Sequence, residues 1–294
     1  EDYGPPDAWL LNTAPIMPAA DQRKVAEVYI TAFLEASLRE DNRYRALFVD
    51  PRVGTEWLPD HPYVHQFSDS TFVPLATFEE DLDVRSATAP GTAITAEGFR
   101  LWREEELKHR DERLQGTSVA VLGWSEPDSP EYSISLVDYD WPDAIGRDDF
   151  LTLAISASTE KLPDADDDPD AEPDADDAAD NGDSEQNSDT APRFTLAATL
   201  ADGRTVSVDS ADHAALAPPL RVRYLKHESL NDERYNSDWE AVLQHVDVPL
   251  SLLDGGRGVS AIKAIRLRFD QMSDGVVILD DIGFRSSMPA AAAE

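Results

Sequence analysis

The chain offers few groups that could carry out covalent chemistry. It has no cysteine, so neither a thiolate nucleophile nor a thiolate-bound metal is available. It also contains no Gly-x-Ser-x-Gly motif, no EF-hand loop and no glycine-rich phosphate loop. Two carboxylates close together in the sequence do not identify a catalytic acid and base here, because a chain with 59 acidic residues contains such pairs throughout. The sequence therefore predicts no catalytic residue.

One acidic residue stands out because of its neighbour. Glu240 follows Trp239, and an indole beside a carboxylate can stack on a sugar ring while the carboxylate accepts its hydroxyl groups. The competing interpretation is a tryptophan that packs over the edge of a β-sandwich. The same two interpretations apply to Trp102, Trp124 and Trp141. Trp239 and Glu240 are thus the candidate ligand-binding residues.

The six histidines are scattered along the chain. His61 and His65 have the spacing of helical metal ligands, but Pro62 disfavours a helix there, and no glutamate of the zinc-protease type lies between them. His227 and His245 fall in neighbouring predicted strands, where histidines are more often packed or exposed than paired as ligands. We therefore expect ordinary loop and strand histidines rather than a metal site.

The net charge of −34 narrows the range of partners. Nucleic acid and anionic membranes both require a basic patch, so neither is expected as a partner. No apolar run approaches the length that spans a bilayer. Residues 163–190 contain thirteen acids, no Lys or Arg, and no apolar side chain larger than Ala, which predicts a disordered acidic loop on the surface.

The remaining acidity is dispersed over the chain, and twenty Arg accompany only five Lys. This composition is typical of proteins from extreme halophiles, in which bulk salt screens the self-repulsion. The alternative is an acidic secreted bacterial protein.

The hydrophobic pattern predicts a mainly β chain, an antiparallel β-sandwich (jelly roll), preceded by one amphipathic helix and an irregular segment rich in aromatic residues and Pro. Apolar residues at helical spacing from Val25 to Ala36 place the helix at Pro18–Arg39. The residues from there to 75 show no periodic partner for this helix. For residues 98–114 the sequence favours a surface helix, and a solvated strand is the alternative. Short apolar or alternating runs predict strands at 118–124, 132–137, 150–158, 193–200, 204–209, 220–226, 241–250, 264–269 and 275–284.

Two turn signals predict hairpins. The Asp-Gly at 274–275 lies between the runs Ala264–Phe269 and Gly275–Phe284, and an Asp-Gly flanked by alternating hydrophobic residues favours a hairpin. Ala201-Asp202-Gly203 joins the strands at 193–200 and 204–209, which predicts a second hairpin with a type I′ turn.

Two stretches of the sequence resemble a known family. The run DQRKVAEVYITAFLEASLREDNRYRALFVDPR, within residues 20–52, resembles the last helix and tail of the catalytic domain in secreted, haloarchaeal-type α/β-hydrolases of the lipase/chlorophyllase-like class. The strands from Val119 to the closing Asp-Asp-Ile-Gly-Phe, with Val248-Pro249-Leu250 among them, resemble the galactose-binding-like jelly roll that follows that domain. The resemblance implies that residues 1–75 end a catalytic domain, that 76–288 form the jelly roll, and that 289–294 are a tail.

The resemblance implies a parent enzyme that transfers acyl groups with a Ser-His-Asp triad lying upstream of Glu1. This chain would then be the non-catalytic C-terminal part of an extracellular or cell-surface esterase. Its sandwich would serve stability or targeting in high salt, and its partner would be the N-terminal catalytic part of the same polypeptide. Two alternatives stay open. One is a carbohydrate- or polymer-binding module, and the other is a surface-assembly protein whose helix docks on a partner subunit.

The resemblance also implies a structural Ca²⁺. Jelly rolls of this class hold calcium between their first and last strands, through the oxygen ligands that this hard cation prefers. The implied ligands are Asp81 and Asp83 with their neighbour Glu80, and Asp280 or Asp281 on the last strand. Strand alternation would let only one of Asp280 and Asp281 face inward. The competing interpretation is that all of these acids are solvent-facing surface charge.

Overall fold

The computed structural model describes residues 7–39, 41–109, 111, 113–125, 130–162, 190–221, 224–227 and 239–287. The predicted acidic loop 163–190, apart from Thr190, and the tail 289–294 lie outside these residues. The described chain is mainly β, and two antiparallel sheets enclose one large apolar core, which confirms the predicted fold class.

Three helices precede the strands: α1 (Asp7–Leu10), α2 (Ala19–Leu38) and α3 (Ala46–Val49). The first sheet has the order β11 (Gln244–Pro249), β6 (Phe150–Ser158), β13 (Asp274–Arg285), β4 (Leu114–Ser125) and β3 (Leu101–Lys108), and β1 (Val73–Ala76) also pairs with β13. The second sheet has the order β2 (Ala93–Glu97), β5 (Glu131–Ser135), β12 (Ile262–Arg268), β7 (Thr195–Leu200) and β8 (Thr205–Asp209). A separate two-stranded ribbon pairs β9 (Leu220–Arg221) with β10 (Trp239–Glu240).

The core lies between the two sheets and is built from the residues of each strand that face inward. The indole of Trp124 on β4 is fully buried, and its ring centroid is 4.6 Å from that of Phe269. Trp102 and Trp141 pack partly buried against the same core. These three tryptophans therefore follow the packing interpretation.

The hairpin predicted at Asp274-Gly275 is wrong. β12 pairs with β5 and β7 in the second sheet, whereas β13 pairs with β4 and β6 in the first. The chain between them crosses from one sheet to the other, with Phe269 buried in the crossing. A Cβ on Gly275 would lie 3.3 Å from the indole of Trp124, so this glycine gives the aromatic ring room. A turn signal is local, and it cannot report that the two flanking strands belong to different sheets.

The second predicted hairpin is confirmed, since β7 pairs with β8. Its turn differs from the predicted type I′, which needs a positive φ at two central residues. Only Gly203 has one, at +83°, and its N–H donates to the carbonyl of Leu200 at 2.8 Å. The connection is thus a three-residue loop with glycine at the left-handed position.

The preferred helix at 98–114 is wrong, and the strand alternative is right. Residues 101–108 form β3, which pairs with β4 along its length. The strand puts Leu101 and Leu107 against a small apolar cluster on the outer side of the first sheet. Arg103, on the same strand, forms ion pairs with Glu105 and Glu160. Pairing with β4 satisfies the backbone, so the dense charge does not prevent a strand.

The predicted helix is confirmed as α2, within one residue at each end. Residues to 75 show no periodic partner for it, yet Ala32 packs against Leu47 and Leu58 in the aromatic segment that follows. That partner was missed because it is built from short turns with no helical or strand period. Phe33 belongs to the predicted packing stripe but is 59% exposed. It lies with three other exposed apolar residues on what we call the outer face of α2: Ile30, Phe33, Leu34 and Leu38.

Residues 65–72, which we call the strap, join the helical part to the first sheet. The backbone N–H of His245 on β11 donates to the carbonyl of His65 at 3.1 Å. At the other end, the Phe72 ring and the Val73 carbonyl approach Gly283 so closely that a Cβ there would lie 2.4 Å from the carbonyl oxygen. Gly283 is therefore required for the strap to lie against β13.

Candidate ligand-binding site

The predicted pair Trp239 and Glu240 forms one strand of the short ribbon. Trp239 lies opposite Arg221, and Glu240 lies opposite Leu220. Beyond Arg221, the chain pairs with the segment after α1. There the N–H of Asn12 donates to the carbonyl of Tyr224 at 2.7 Å, and the N–H of Lys226 donates to the carbonyl of Leu10 at 2.9 Å.

These two pairings collect aromatic residues from distant parts of the sequence at one edge of the molecule. Trp9 is 79% exposed, Tyr224 is 50% exposed, and Trp239 is half-buried. Leu10 and Leu220 beside them are also exposed. Large apolar side chains exposed on neighbouring segments make this surface a candidate interaction site. We call this surface the aromatic edge: Trp9, Tyr224, Trp239, Arg221 and Glu240.

Arg221 holds the indole of Trp239 in place. Its guanidinium carbon lies 5.5 Å from the centroid of the Trp239 ring, which is the geometry of a cation–π contact. The contact occupies one face of the indole.

Glu240 is fixed by a residue from the first sheet. Its Oε1 atom lies 3.1 Å from Nδ1 of His109, which follows β3 in the chain, and the Glu240 side chain is 18% exposed. The two groups form an ion pair when His109 is protonated. Glu240 thus combines a fixed position with a carboxylate that can accept ligand hydroxyl groups.

Trp239 and Glu240 are consecutive residues of β10, and their role in ligand binding stays a prediction. Sequence reasoning missed the other members of this site. Trp9 and Tyr224 are 215 positions apart in the chain, and the Leu11–Leu225 pairing brings their segments together. No local pattern could have found them.

Asp280, the calcium ligand expected on the last strand, is buried, but its neighbours are not the acidic residues that were predicted. Asp280 is 3% exposed, and its Oδ2 atom accepts a hydrogen bond from the Thr117 hydroxyl at 2.9 Å. Burial, followed by the charge of Asp281, raises the pKa of Asp280 to about 7. The carboxylate that shares the Thr117 hydroxyl is Glu79, at 3.2 Å, and not Asp81 or Asp83.

Strand alternation fails where it was used to choose between Asp280 and Asp281. A bulge interrupts the pairing of β13 with β6 between Asp280 and Gly283, and Asp281 has a φ of +47°. The core-facing positions shift from Leu279 to Ile282 across the bulge. Neither Asp280 nor Asp281 therefore faces the core between the sheets.

Asp81 and Asp83 lie with Glu80 near a different carboxylate, Glu104 on β3. Burial and the charges of Asp81, Glu80 and Asp83 raise the pKa of Glu104 to about 7. Carboxylate oxygens suit Ca²⁺ chemically. Within the part of the chain that the structure describes, however, no group of three or more His, Asp or Glu residues is placed to hold a metal ion. The calcium site stays a prediction.

The histidines singled out by spacing contact separate partners. His61 lies 3.3 Å from a carboxylate oxygen of Asp21. His65 Nε2 lies 2.6 Å from the Tyr29 hydroxyl, and His65 Nδ1 lies 3.2 Å from the Phe48 carbonyl oxygen. His245 accepts a hydrogen bond from the backbone of the strap.

Neither a protein-family model nor a curated protein matches this chain. Solved structures with a similar course of the chain include an exo-β-agarase (15% identity, 76% of this chain and 26% of the agarase covered, TM-score 0.38). They also include a family 30 carbohydrate-binding module (11% identity, 78% and 89% covered, TM-score 0.36). A third is the family 11 carbohydrate-binding module from Clostridium thermocellum in complex with a β-1,3-1,4-mixed-linked tetrasaccharide (10% identity, 76% and 100% covered, TM-score 0.37).

The chain spans about a quarter of the length of the agarase and of a β-1,2-glucanase from Parabacteroides distasonis, 26% and 27%. No helix among the described residues is long and apolar enough to cross a membrane.

Proposed function

We propose that this chain is a non-catalytic module that binds a carbohydrate polymer at the aromatic edge. The observation that carries the proposal is the collection of Trp9, Tyr224 and Trp239 beside the fixed carboxylate of Glu240. Long-range pairing assembles this surface, and three aromatic side chains remain wholly or partly open on it.

The chemistry of the edge suits a sugar chain. Pyranose rings present apolar C–H faces that stack on indole and phenol rings, and their hydroxyl groups bond to charged side chains. Glu240 supplies an acceptor, and Arg221 supplies donors. The net charge of −34 disfavours polyanionic polysaccharides. We therefore propose a neutral or basic polymer as the ligand.

The experiment is co-sedimentation of the chain with insoluble cellulose, xylan, agarose and chitin in molar KCl. We expect retention on at least one polymer, and at least a tenfold weaker affinity for Trp239→Ala and Trp9→Ala. Trp57→Ala is the matched control, because Trp57 is 47% exposed on the helical part of the chain. Absence of retention on every polymer, or equal loss in the control, would overturn the proposal.

A second proposal concerns the helical part. We propose that α2 and the segment after it close an α/β-hydrolase catalytic domain, which acts outside the cell in high salt. The supporting observation is the outer face of α2. Its four apolar residues lie at helical spacing and are exposed: Ile30 (59%), Phe33 (59%), Leu34 (44%) and Leu38 (76%). A helix that is apolar on two sides is typical of burial between two layers.

The test is the encoded sequence upstream of Glu1, followed by esterase assays on the whole polypeptide. We expect a Gly-x-Ser-x-Gly motif upstream and ester hydrolysis that is lost when its serine is replaced by alanine. An upstream sequence without that motif would contradict the hydrolase proposal. It would leave the carbohydrate proposal untouched, since that proposal depends on different residues.

A further inference from the structure

The strap covers a polar patch on the outer side of the first sheet. Arg285 on β13 is 2% exposed, and its Nη2 atom donates to Asp247 Oδ2 on β11 at 2.7 Å. The guanidinium carbon lies 5.3 Å from the ring centroid of Phe67 in the strap and 5.2 Å from that of Phe150. One buried cation thus joins the strap to two strands of the sheet.

Several buried polar atoms in this patch have no hydrogen-bond partner among the described residues. They are Nε and Nη1 of Arg285, Oγ1 of Thr152 and Oδ1 of Asp247. Thr152 is itself only 3% exposed. Buried polar groups in folded proteins are almost always paired with protein or with ordered water, so this concentration of unpaired atoms points to a bound molecule.

A small cavity lies where these groups meet. It is lined by Thr152, Arg285, His245 and Asp281 of the sheet, and by Phe67, Ser68 and Phe72 of the strap. It leaves about 10 Å³ for the centre of a water-sized sphere. That space is close to the minimum for one water molecule and too small for an organic ligand.

The hydrogen-bonding groups around the cavity identify its occupant. His245 Nδ1 accepts the N–H of Phe67 at 2.7 Å, so the neutral ring carries its proton on Nε2 as a donor. Arg285 and Thr152 add further donors, and the Asp281 carboxylate is an acceptor. Water can accept two hydrogen bonds and donate two, and it therefore satisfies both kinds of group at once.

The charges around the cavity argue against an ion. Asp247 and Asp281 outweigh Arg285 by one negative charge, which disfavours chloride. A sodium ion would face the unpaired N–H groups of Arg285 and leave them unpaired. A neutral molecule that both donates and accepts is the one that fits.

We infer that this cavity is a binding site for a single ordered water, which hydrogen-bonds to Arg285, Thr152 and Asp281 and fastens the strap to the sheet. The inference is independent of the carbohydrate proposal, because the aromatic edge contributes no group to the cavity. The helical part and the sandwich are then connected through a bridging water molecule.

The test is a high-resolution crystal structure of the chain and of two variants. Thr152→Val keeps the side-chain shape and removes the hydroxyl group, whereas Thr152→Ser keeps the hydroxyl group. We expect one water within hydrogen-bonding distance of Arg285 in the parent chain and in Thr152→Ser, and its loss or displacement in Thr152→Val. Amide hydrogen exchange at Phe67 should be faster in Thr152→Val than in Thr152→Ser.

Three results would overturn the inference. The first is a parent structure in which the cavity holds no density. The second is a halide there, identified by anomalous scattering after bromide replaces chloride. The third is an exchange rate at Phe67 that is the same in both variants. The structure of the parent chain decides the matter even if a variant fails to fold.

Discussion

Arg221 places its guanidinium carbon 5.5 Å from the ring centroid of Trp239, across the pairing of β9 with β10. A contact of this kind at a partly exposed site is worth about 0.5–1 kcal/mol. It orients the indole without burying it in the core between the sheets. Trp239 therefore differs from Trp124, whose ring is fully enclosed between the sheets.

The two interpretations of Trp239 predict different stabilities. If the indole is a binding platform, Trp239→Ala should lower the free energy of unfolding by roughly 1 kcal/mol or less, because the half-buried ring lies outside the core between the sheets. Trp124→Ala is the comparison and should cost about 3–5 kcal/mol. Urea unfolding of both variants measures the difference. Equal losses would support the packing interpretation of Trp239.

Asp280 should make stability fall as the pH rises. Its pKa moves from the ordinary 3.8 to about 7 on folding, so the folded chain binds the proton more tightly than the unfolded chain does. The stability associated with this carboxyl is present below pH 4 and is lost as the pH rises through about 7, with a slope of roughly 1.4 kcal/mol for each pH unit between these two values. Asp280→Asn removes the charge and should raise the melting temperature at pH 8.

The same variant tests the predicted calcium. If Ca²⁺ binds at Asp280, calcium should raise the melting temperature of the parent chain at pH 8, EDTA should reverse the rise, and Asp280→Asn should respond to neither. A parent chain that is indifferent to calcium would contradict the predicted site. An unchanged pH dependence in Asp280→Asn would contradict the assignment of the titration to this carboxyl.

His65 should make stability fall as the pH decreases, which is opposite to the effect of Asp280. Burial lowers its pKa, so the folded chain holds the ring neutral while the unfolded chain takes up a proton below about pH 6.5. Stability should therefore be complete above pH 6.5 and fall on acidification. His65→Gln should flatten this part of the pH–stability curve, measured by urea unfolding between pH 5 and 8. A slope that is just as steep in the variant would rule out His65 as its source.

Salt should stabilise the fold. With a net charge of −34, repulsion within the chain is large at low ionic strength, and molar salt reduces the screening length to about 3 Å. We expect the melting temperature to rise from low to molar KCl. A melting temperature that does not change over this range would contradict the halophilic interpretation of the composition.

Local pattern predicted those parts of the fold that are set locally. The helical spacing from Val25 to Ala36 placed α2 correctly, and alternation placed most of the strands. The same kind of reasoning failed at Asp274-Gly275, because the choice between a hairpin and a crossing depends on which sheet each strand joins. It also failed at Asp280 and Asp281, where a bulge changes which residues face the core.

Two residues of the candidate site could be recognised from the sequence. Trp239 and Glu240 are adjacent, so their combination could be recognised from residue types alone. Trp9 and Tyr224 join them through backbone pairing between segments more than 200 residues apart. His109 reaches Glu240 only because residues 101–108 form a strand rather than the helix that their charge pattern favoured. Non-local pairing of this kind leaves no trace in a single sequence.

The most direct test of the carbohydrate proposal is hydroxyl-radical footprinting of the whole chain with and without the polymer that retains it. Oxidation is read by mass spectrometry at Trp9, Tyr224 and Trp239, and Trp57 is the internal reference. We predict that the polymer protects the three residues of the aromatic edge and leaves the oxidation of Trp57 unchanged. Protection at Trp57 alone, or at none of the four residues while the polymer is bound, would contradict the assignment of binding to this edge.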